Sequence, residues 1–153
     1  MSLNRRTFLG RSAALATTSL MPMAVLAADS IKLGSILDTS GPFDAYGKPM
    51  DQAMRLAVSE INEAGGLLGR QVEVTAYDTQ SDMALYSQYG QQLTRQDQVD
   101  VVHGGILSAS REAIRQTMRK TNTLYFYNVL YEGGVCDRNI FINGVTPAHQ
   151  VEA

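Results

Sequence analysis

The chain has 153 residues, 44% of them apolar and 18% charged, the balance of an ordinary folded domain rather than a disordered or fibrous chain. Its net charge of −2, with no basic run beyond the N-terminus, excludes the electrostatic footprint of a nucleic-acid binder. One cysteine, Cys136, and two histidines, His103 and His149, exclude a disulfide framework and every multi-cysteine metal site.

Residues 1–28 read as an export signal: a charged start at Asn4-Arg5-Arg6-Thr7-Phe8-Leu9-Gly10, an Ala- and Leu-rich stretch, then Val25-Leu26-Ala27 before Ala28-Asp29. The paired arginines are twin-arginine-like, with Gly10 where a Lys is common. Thr17, Thr18, Ser19 and Pro22 interrupt the apolar stretch, leaving it short of the ~20 residues a spanning helix needs. Cleavage near Ala27 removes Arg5, Arg6 and Arg11 and leaves a more acidic mature chain outside the cytoplasm.

From Ile31 onward short apolar runs alternate with amphipathic ones, which predicts parallel strands joined by crossover helices, a doubly wound Rossmann-like α/β sheet. Residues 31–37 form the first strand, broken by Asp38-Thr39-Ser40-Gly41-Pro42. A helix is expected from about Lys48, because Met50, Ala53, Met54, Ala57, Val58 and Ile61 make one stripe of a 3.6-residue period that should lie on the sheet; Gly65-Gly66 ends it. Residues 71–78 alternate apolar and polar and suit an edge strand. A helix over about 82–96 follows, spaced by Met83, Tyr86 and Leu93 and weakened by Gly90. Residues 99–104 read as a buried strand, 110–120 as a helix turning Ala113, Ile114 and Met118 inward, and 123–127 as another strand. Residues 139–143 make a last strand before the break at Gly144, Thr146 and Pro147.

In open parallel sheets small molecules bind at the carboxyl ends of the strands. Three loops meet that condition: 40–47, 104–110 and 127–133. Gly104-Gly105 permits close backbone approach, and Ser108 and Ser110 stand at a helix start that favours a carboxylate or carbonyl oxygen; Ser110 also suits a helix N-cap. Neither GxGxxG nor a Gly-Lys-Ser or Gly-Lys-Thr phosphate loop is present. Tyr125 and Tyr127 share one face of their strand, and Tyr127, nearer the carboxyl end, offers a ring and a polar tip to a small polar solute. Glu132 is read as a solvated loop carboxylate, His103 as a strand residue with a satisfied ring, and Cys136 as a buried thiol. Ser108 lacks a GxSxG elbow, so no catalytic residue and no cofactor are assigned.

Three segments carry a resemblance: Ser40-Gly41-Pro42 with Tyr46-Gly47, the run from Ile61 to Gly69, and Tyr131-Glu132-Gly133 after a Tyr-rich strand. Residues 31–150 thereby resemble the type I periplasmic binding proteins of ABC importers, in the branch covering branched-chain amino acids, urea and short-chain amides. The resemblance implies reversible capture of a small solute between two α/β lobes and its delivery to membrane permease subunits. It places Ser108, Ser110, Gly105, Ile106, Tyr127, Val129 and Tyr46 at the ligand, Ser108 foremost. Tyr-Glu-Gly looks more like the amide and urea members, whereas Ile106 stands where amide and urea sensors carry an aromatic residue. Rival expectations are a ligand-sensing regulator on the same fold and an exported enzyme. The resemblance further implies that residues 29–145 form a first lobe, with 146–153 beginning the crossover to a second lobe; a truncated chain with uncovered apolar surface is expected.

Overall fold

The computed structural model describes residues 29–151; the export-signal expectation falls outside the described residues. The elements are β1 (Ile31–Leu37), α1 (Asp44–Glu63), β2 (Val72–Asp78), α2 (Met83–Arg95), β3 (Val101–Gly104), α3 (Ser108–Thr121), β4 (Leu124–Tyr127), β5 (Ile140–Ile142) and α4 (Pro147–Val151). The five strands make one sheet in the order β2-β1-β3-β4-β5. Every pairing is parallel. The strand over 72–78 takes the edge position its polar face predicts. Among the described residues no helix is long and apolar enough to cross a membrane.

The core lies on one face of the sheet. Ile36, Val102, Tyr125, Tyr127 and Ile140 point there and meet Tyr86 and Leu93 of α2 and Ile114 and Met118 of α3. Gly90 makes the α2–α3 contact possible: a Cβ at that position would stand 2.9 Å from Ile114 Cγ2. The caps follow the sequence. Asp82 accepts from the Ala84 N–H at 2.6 Å at the start of α2, and Asn122 ends α3 in the left-handed region.

α1 covers the opposite face at β1 and β2. It begins at Asp44, not near Lys48, with Pro49 inside it. Gly47 explains the difference: its missing Cβ would stand 2.0 Å from the Asp38 carbonyl oxygen, so the first turn of the helix passes against the end of β1 only with glycine there. Gly47 is thus a packing residue. At the other end Asn62 clamps the edge strand, donating to the Val72 carbonyl at 2.9 Å and accepting from the Val72 N–H at 2.8 Å. Gly66, at φ +81, completes the turn that follows.

The stripe on α1 is covered only in part. Met50, Met54, Val58 and Ile61 are half-buried, while Ala53 and Ala57 remain exposed. Beyond β1 this sheet face carries Val101, Phe126 and Phe141; Phe126 and Phe141 stack with centroids 5.0 Å apart, and Phe141 is 44% exposed. A cleft of about 520 Å³ lies between the helix and this face. The expected uncovered apolar surface is therefore here.

Candidate functional site

The site is built where β3 ends and α3 begins. Gly104 and Gly105 both have positive φ, +130 and +79, and the Gly105 N–H donates to the Ile36 carbonyl at 2.8 Å. A Cβ on Gly105 would stand 2.4 Å from the Tyr125 hydroxyl. This double glycine folds the chain sharply over β1 and β4 and starts α3 at Ser108, two residues earlier than expected. Leu107 is the N-cap residue, and no side chain caps the helix. The N–H groups of its first turn, which have no intrahelical partner, remain available to an acceptor.

Ser110 is therefore not the N-cap, and it does not line the cleft at the helix start. It is fully buried inside the helix and donates its hydroxyl to the Leu107 carbonyl at 2.6 Å. Ser108 stands at the helix start and donates its hydroxyl to Glu132 Oε2 at 2.5 Å. With its proton committed, the Ser108 oxygen offers only lone pairs to a neighbour.

Glu132 is not simply solvated, as expected from its loop position. Its Oε1 accepts from Arg111 Nη2 at 2.7 Å. Hydrogen bonds from Arg111 first, and from Ser108 second, push the Glu132 carboxyl down to about 2. Since an unfolded glutamate titrates near ~4.3, this pairing adds stability that is complete above that value and is lost as pH falls toward about 2. Arg111, 1% exposed, also donates to Glu112 Oε1 at 3.2 Å. Its guanidinium lies 5.1 Å from the ring centroid of Tyr127 and 5.3 Å from that of Tyr131.

Tyr125 and Tyr127 do share one strand face, but both are buried with their hydroxyls committed. Tyr125 donates to the Gly104 carbonyl at 3.0 Å and Tyr127 to the Ile106 carbonyl at 2.8 Å. Tyr127 thus contributes its ring rather than a free polar tip. Tyr131 is fixed through the loop: its hydroxyl donates to the Val135 carbonyl at 3.0 Å and accepts from the Val135 N–H at 2.8 Å.

These residues enclose a cleft of about 340 Å³. Ser108, Tyr127, Tyr131 and Glu132 form its polar and aromatic side, and Ile106, Leu107, Leu130 and Val145 its aliphatic side. Of the residues expected at a ligand, the structure brings Ser108, Ile106 and Tyr127 together here. Gly105 supports the turn beneath, Val129 packs against the core, and Tyr46 lies on the first turn of α1, 60% exposed, and does not line the cleft.

Two further expectations are corrected. Cys136 is exposed, because the 131–138 loop runs over the surface rather than under a helix. The His103 ring is only half satisfied: Nδ1 meets Asn128 Nδ2 at 3.0 Å, while the buried Nε2 has no partner among the described residues. Burial pushes the His103 ring down, against the opposing pull of Asp51. The residue that sequence reasoning missed is Arg111. Its position was readable, since Arg111, Ile114 and Met118 share the i, i+3, i+7 stripe, and a charge on a buried stripe demands a partner.

A family model of periplasmic binding proteins matches residues 30–153, nearly the whole described chain and the three resembling segments. The chain belongs to the periplasmic binding protein family. Among solved relatives, the branched-chain amino acid transporter substrate-binding protein LivJ from Streptococcus pneumoniae, in complex with isoleucine, is 29% identical. Its superposition reaches a TM-score of 0.66, covering 74% of this chain and 33% of that one. An ABC-type branched-chain amino acid transporter protein from Rhodopseudomonas palustris shares the fold at a TM-score of 0.67 and 20% identity, over 76% of this chain and 33% of its own. A fatty acid ABC transporter substrate-binding protein from Thermomonospora curvata does so at 0.65 and 23%, over 73% and 28%. The chain spans about a third of the length of these proteins. The fold is thus that of the first lobe of a type I periplasmic binding protein.

Proposed function

We propose that this periplasmic binding protein chain is a lobe of an extracytoplasmic solute receptor that captures a small polar solute and passes it to the permease subunits of an ABC importer. Residues 1–28 direct export to the periplasm, residues 29–145 make the lobe, and residues 146–153 begin the crossover to a second one. The function is reversible binding, and no residue is assigned catalysis.

One observation carries the ligand class. Ser108 spends its hydroxyl proton on Glu132, so the cleft presents acceptors, the Ser108 oxygen and the half-exposed Glu132 carboxylate, beside the uncapped N–H donors of the α3 first turn. A carbonyl with an N–H beside it, as in urea or a short-chain amide, satisfies both sides at once. A free carboxylate would meet the N–H groups but also the negative charge of Glu132.

A second reading, a branched-chain amino acid, is favoured by the aliphatic side formed by Ile106, Leu107, Leu130 and Val145 and by the isoleucine-bound relative. In that case the ammonium faces Glu132. Thermal melting of the exported chain with urea, acetamide or isoleucine separates the two. A ligand at 100 times its Kd raises stability by about 2.7 kcal/mol. The reading predicts a dose-dependent rise with acetamide or urea. A rise with isoleucine alone selects the second reading, and a melting temperature indifferent to all three overturns both for this chain.

A further inference from the structure

We propose that Arg111 is the positioning residue of the cleft: from inside the lobe, without lining the solute space, it holds Glu132 and the Tyr131-Glu132-Gly133 turn against the first turn of α3. The role concerns the same cleft as the solute reading and rests on that reading only for its effect on binding.

An arginine on the inward stripe of a helix is costly to bury unless its charge and its donors are met. Arg111 has its charge met from three directions, with only Nη1 left without a hydrogen-bond partner among the described residues: Glu132 from the loop after β4 at 2.7 Å, Glu112 from its own helix at 3.2 Å, and the rings of Tyr127 and Tyr131 at 5.1 and 5.3 Å. Three of these partners, Tyr127, Tyr131 and Glu132, line the cleft, while Arg111 does not. Ser108, the fourth cleft residue in the arrangement, is tied to the same Glu132 carboxylate. One buried cation therefore sets the spacing between the α3 start and the 131–133 turn.

Its two glycines do not hold the turn there. Gly133 and Gly134 have φ of +101 and +82, and a Cβ on either would meet nothing within 4 Å, so the backbone is not wedged by packing. Tyr131 anchors the turn at one end through its N–H to the Val145 carbonyl at 3.0 Å. Further along, the Tyr131 hydroxyl closes the segment on Val135 and Arg115 lies 3.9 Å from Asp137, so at Glu132 itself the contact to Arg111 and Ser108 is what presses the turn onto the start of the helix.

The test uses the exported chain, with three readouts for the wild type, R111Q, R111K and E132Q: the carboxyl carbon shift of Glu132 against pH, amide exchange at residues 131–134, and acetamide and urea affinity at pH 7. In R111Q the Glu132 midpoint rises from about 2 toward the ordinary ~4.3, kept below it by the remaining Ser108 hydrogen bond, exchange at 131–134 accelerates by about tenfold or more, and affinity falls by about tenfold. R111K restores the midpoint in part but not the exchange protection, because an ammonium cannot hold two carboxylates in one plane as guanidinium does. A folded R111Q with wild-type Glu132 titration and exchange overturns the proposal. If R111Q does not fold, E132Q, altered at a half-exposed position, decides: the same loosening at 131–134 supports the proposal, and unchanged protection overturns it. If the wild type binds neither acetamide, urea nor isoleucine while Glu132 and the loop respond as described, the solute reading fails and the positioning role stands.

Discussion

Replacing Gly104 by alanine is expected to destabilise the lobe by about 3 kcal/mol or more. Two costs coincide there. The residue holds φ at +130, which L side chains rarely adopt, and a Cβ would stand 2.1 Å from the Ile36 carbonyl oxygen. That oxygen belongs to the backbone of β1, paired in register with Gly104, so the clash is relieved only by parting two central strands. Gly69→Ala serves as the control. It also has a positive φ, +76, but its Cβ would meet nothing within 4 Å, so only the conformational cost of about 1 kcal/mol applies. Chemical denaturation of both variants reads the difference. Equal, small losses would mean that the strands tolerate a side chain at Gly104 and that the sharp turn into α3 is not fixed by close approach.

Ile114→Ala is expected to cost about 2–5 kcal/mol, because Ile114 is fully buried between the sheet and α2 and its removal leaves a cavity. The informative variant is the double one. In the wild type, Gly90→Ala gains helix propensity but drives a methyl to 2.9 Å from Ile114 Cγ2. With Ile114 shortened the Cγ2 conflict disappears, leaving only the retained Cβ at 3.3 Å, and Gly90→Ala should restore up to about 1 kcal/mol of stability while filling part of the space. A double mutant no more stable than Ile114→Ala alone would show that the α2–α3 spacing is not set at this contact.

Gly90 also shows what a sequence can and cannot say. Read along the chain, it weakens a helix; in the fold, it is the notch into which Ile114 packs. The start of α1 was placed at about Lys48, four residues too late, because the close approach of Gly47 to the end of β1 is a contact between segments. The edge position of β2 and the approximate span of α2 were legible, because each follows from a period within one segment. Contacts between segments were not. Ser110 carries a cap's chemistry, yet its helix had begun two residues earlier, and the residue bonds back to Leu107. Glu132 looked solvated because its partner lies 21 positions away on the inward face of α3. Cys136 was read as buried on residue type, whereas its loop lies on the surface. Of the residues lining the cleft, Ser108 was read from its loop, Tyr127 from its strand-end position and Ile106 from the family resemblance, while the ion pair beside them was visible only as a charge out of place on an apolar stripe.

The most direct test is a map of backbone amide shifts in the exported chain on titration with acetamide and urea. The account predicts saturable shifts centred on the first-turn amides of Ser108, Ala109 and Ser110 and on Tyr131 and Glu132, with α1 unaffected. Shifts centred instead on His103, Phe126 and Asn128, in the apolar cleft of the opposite sheet face, would contradict it.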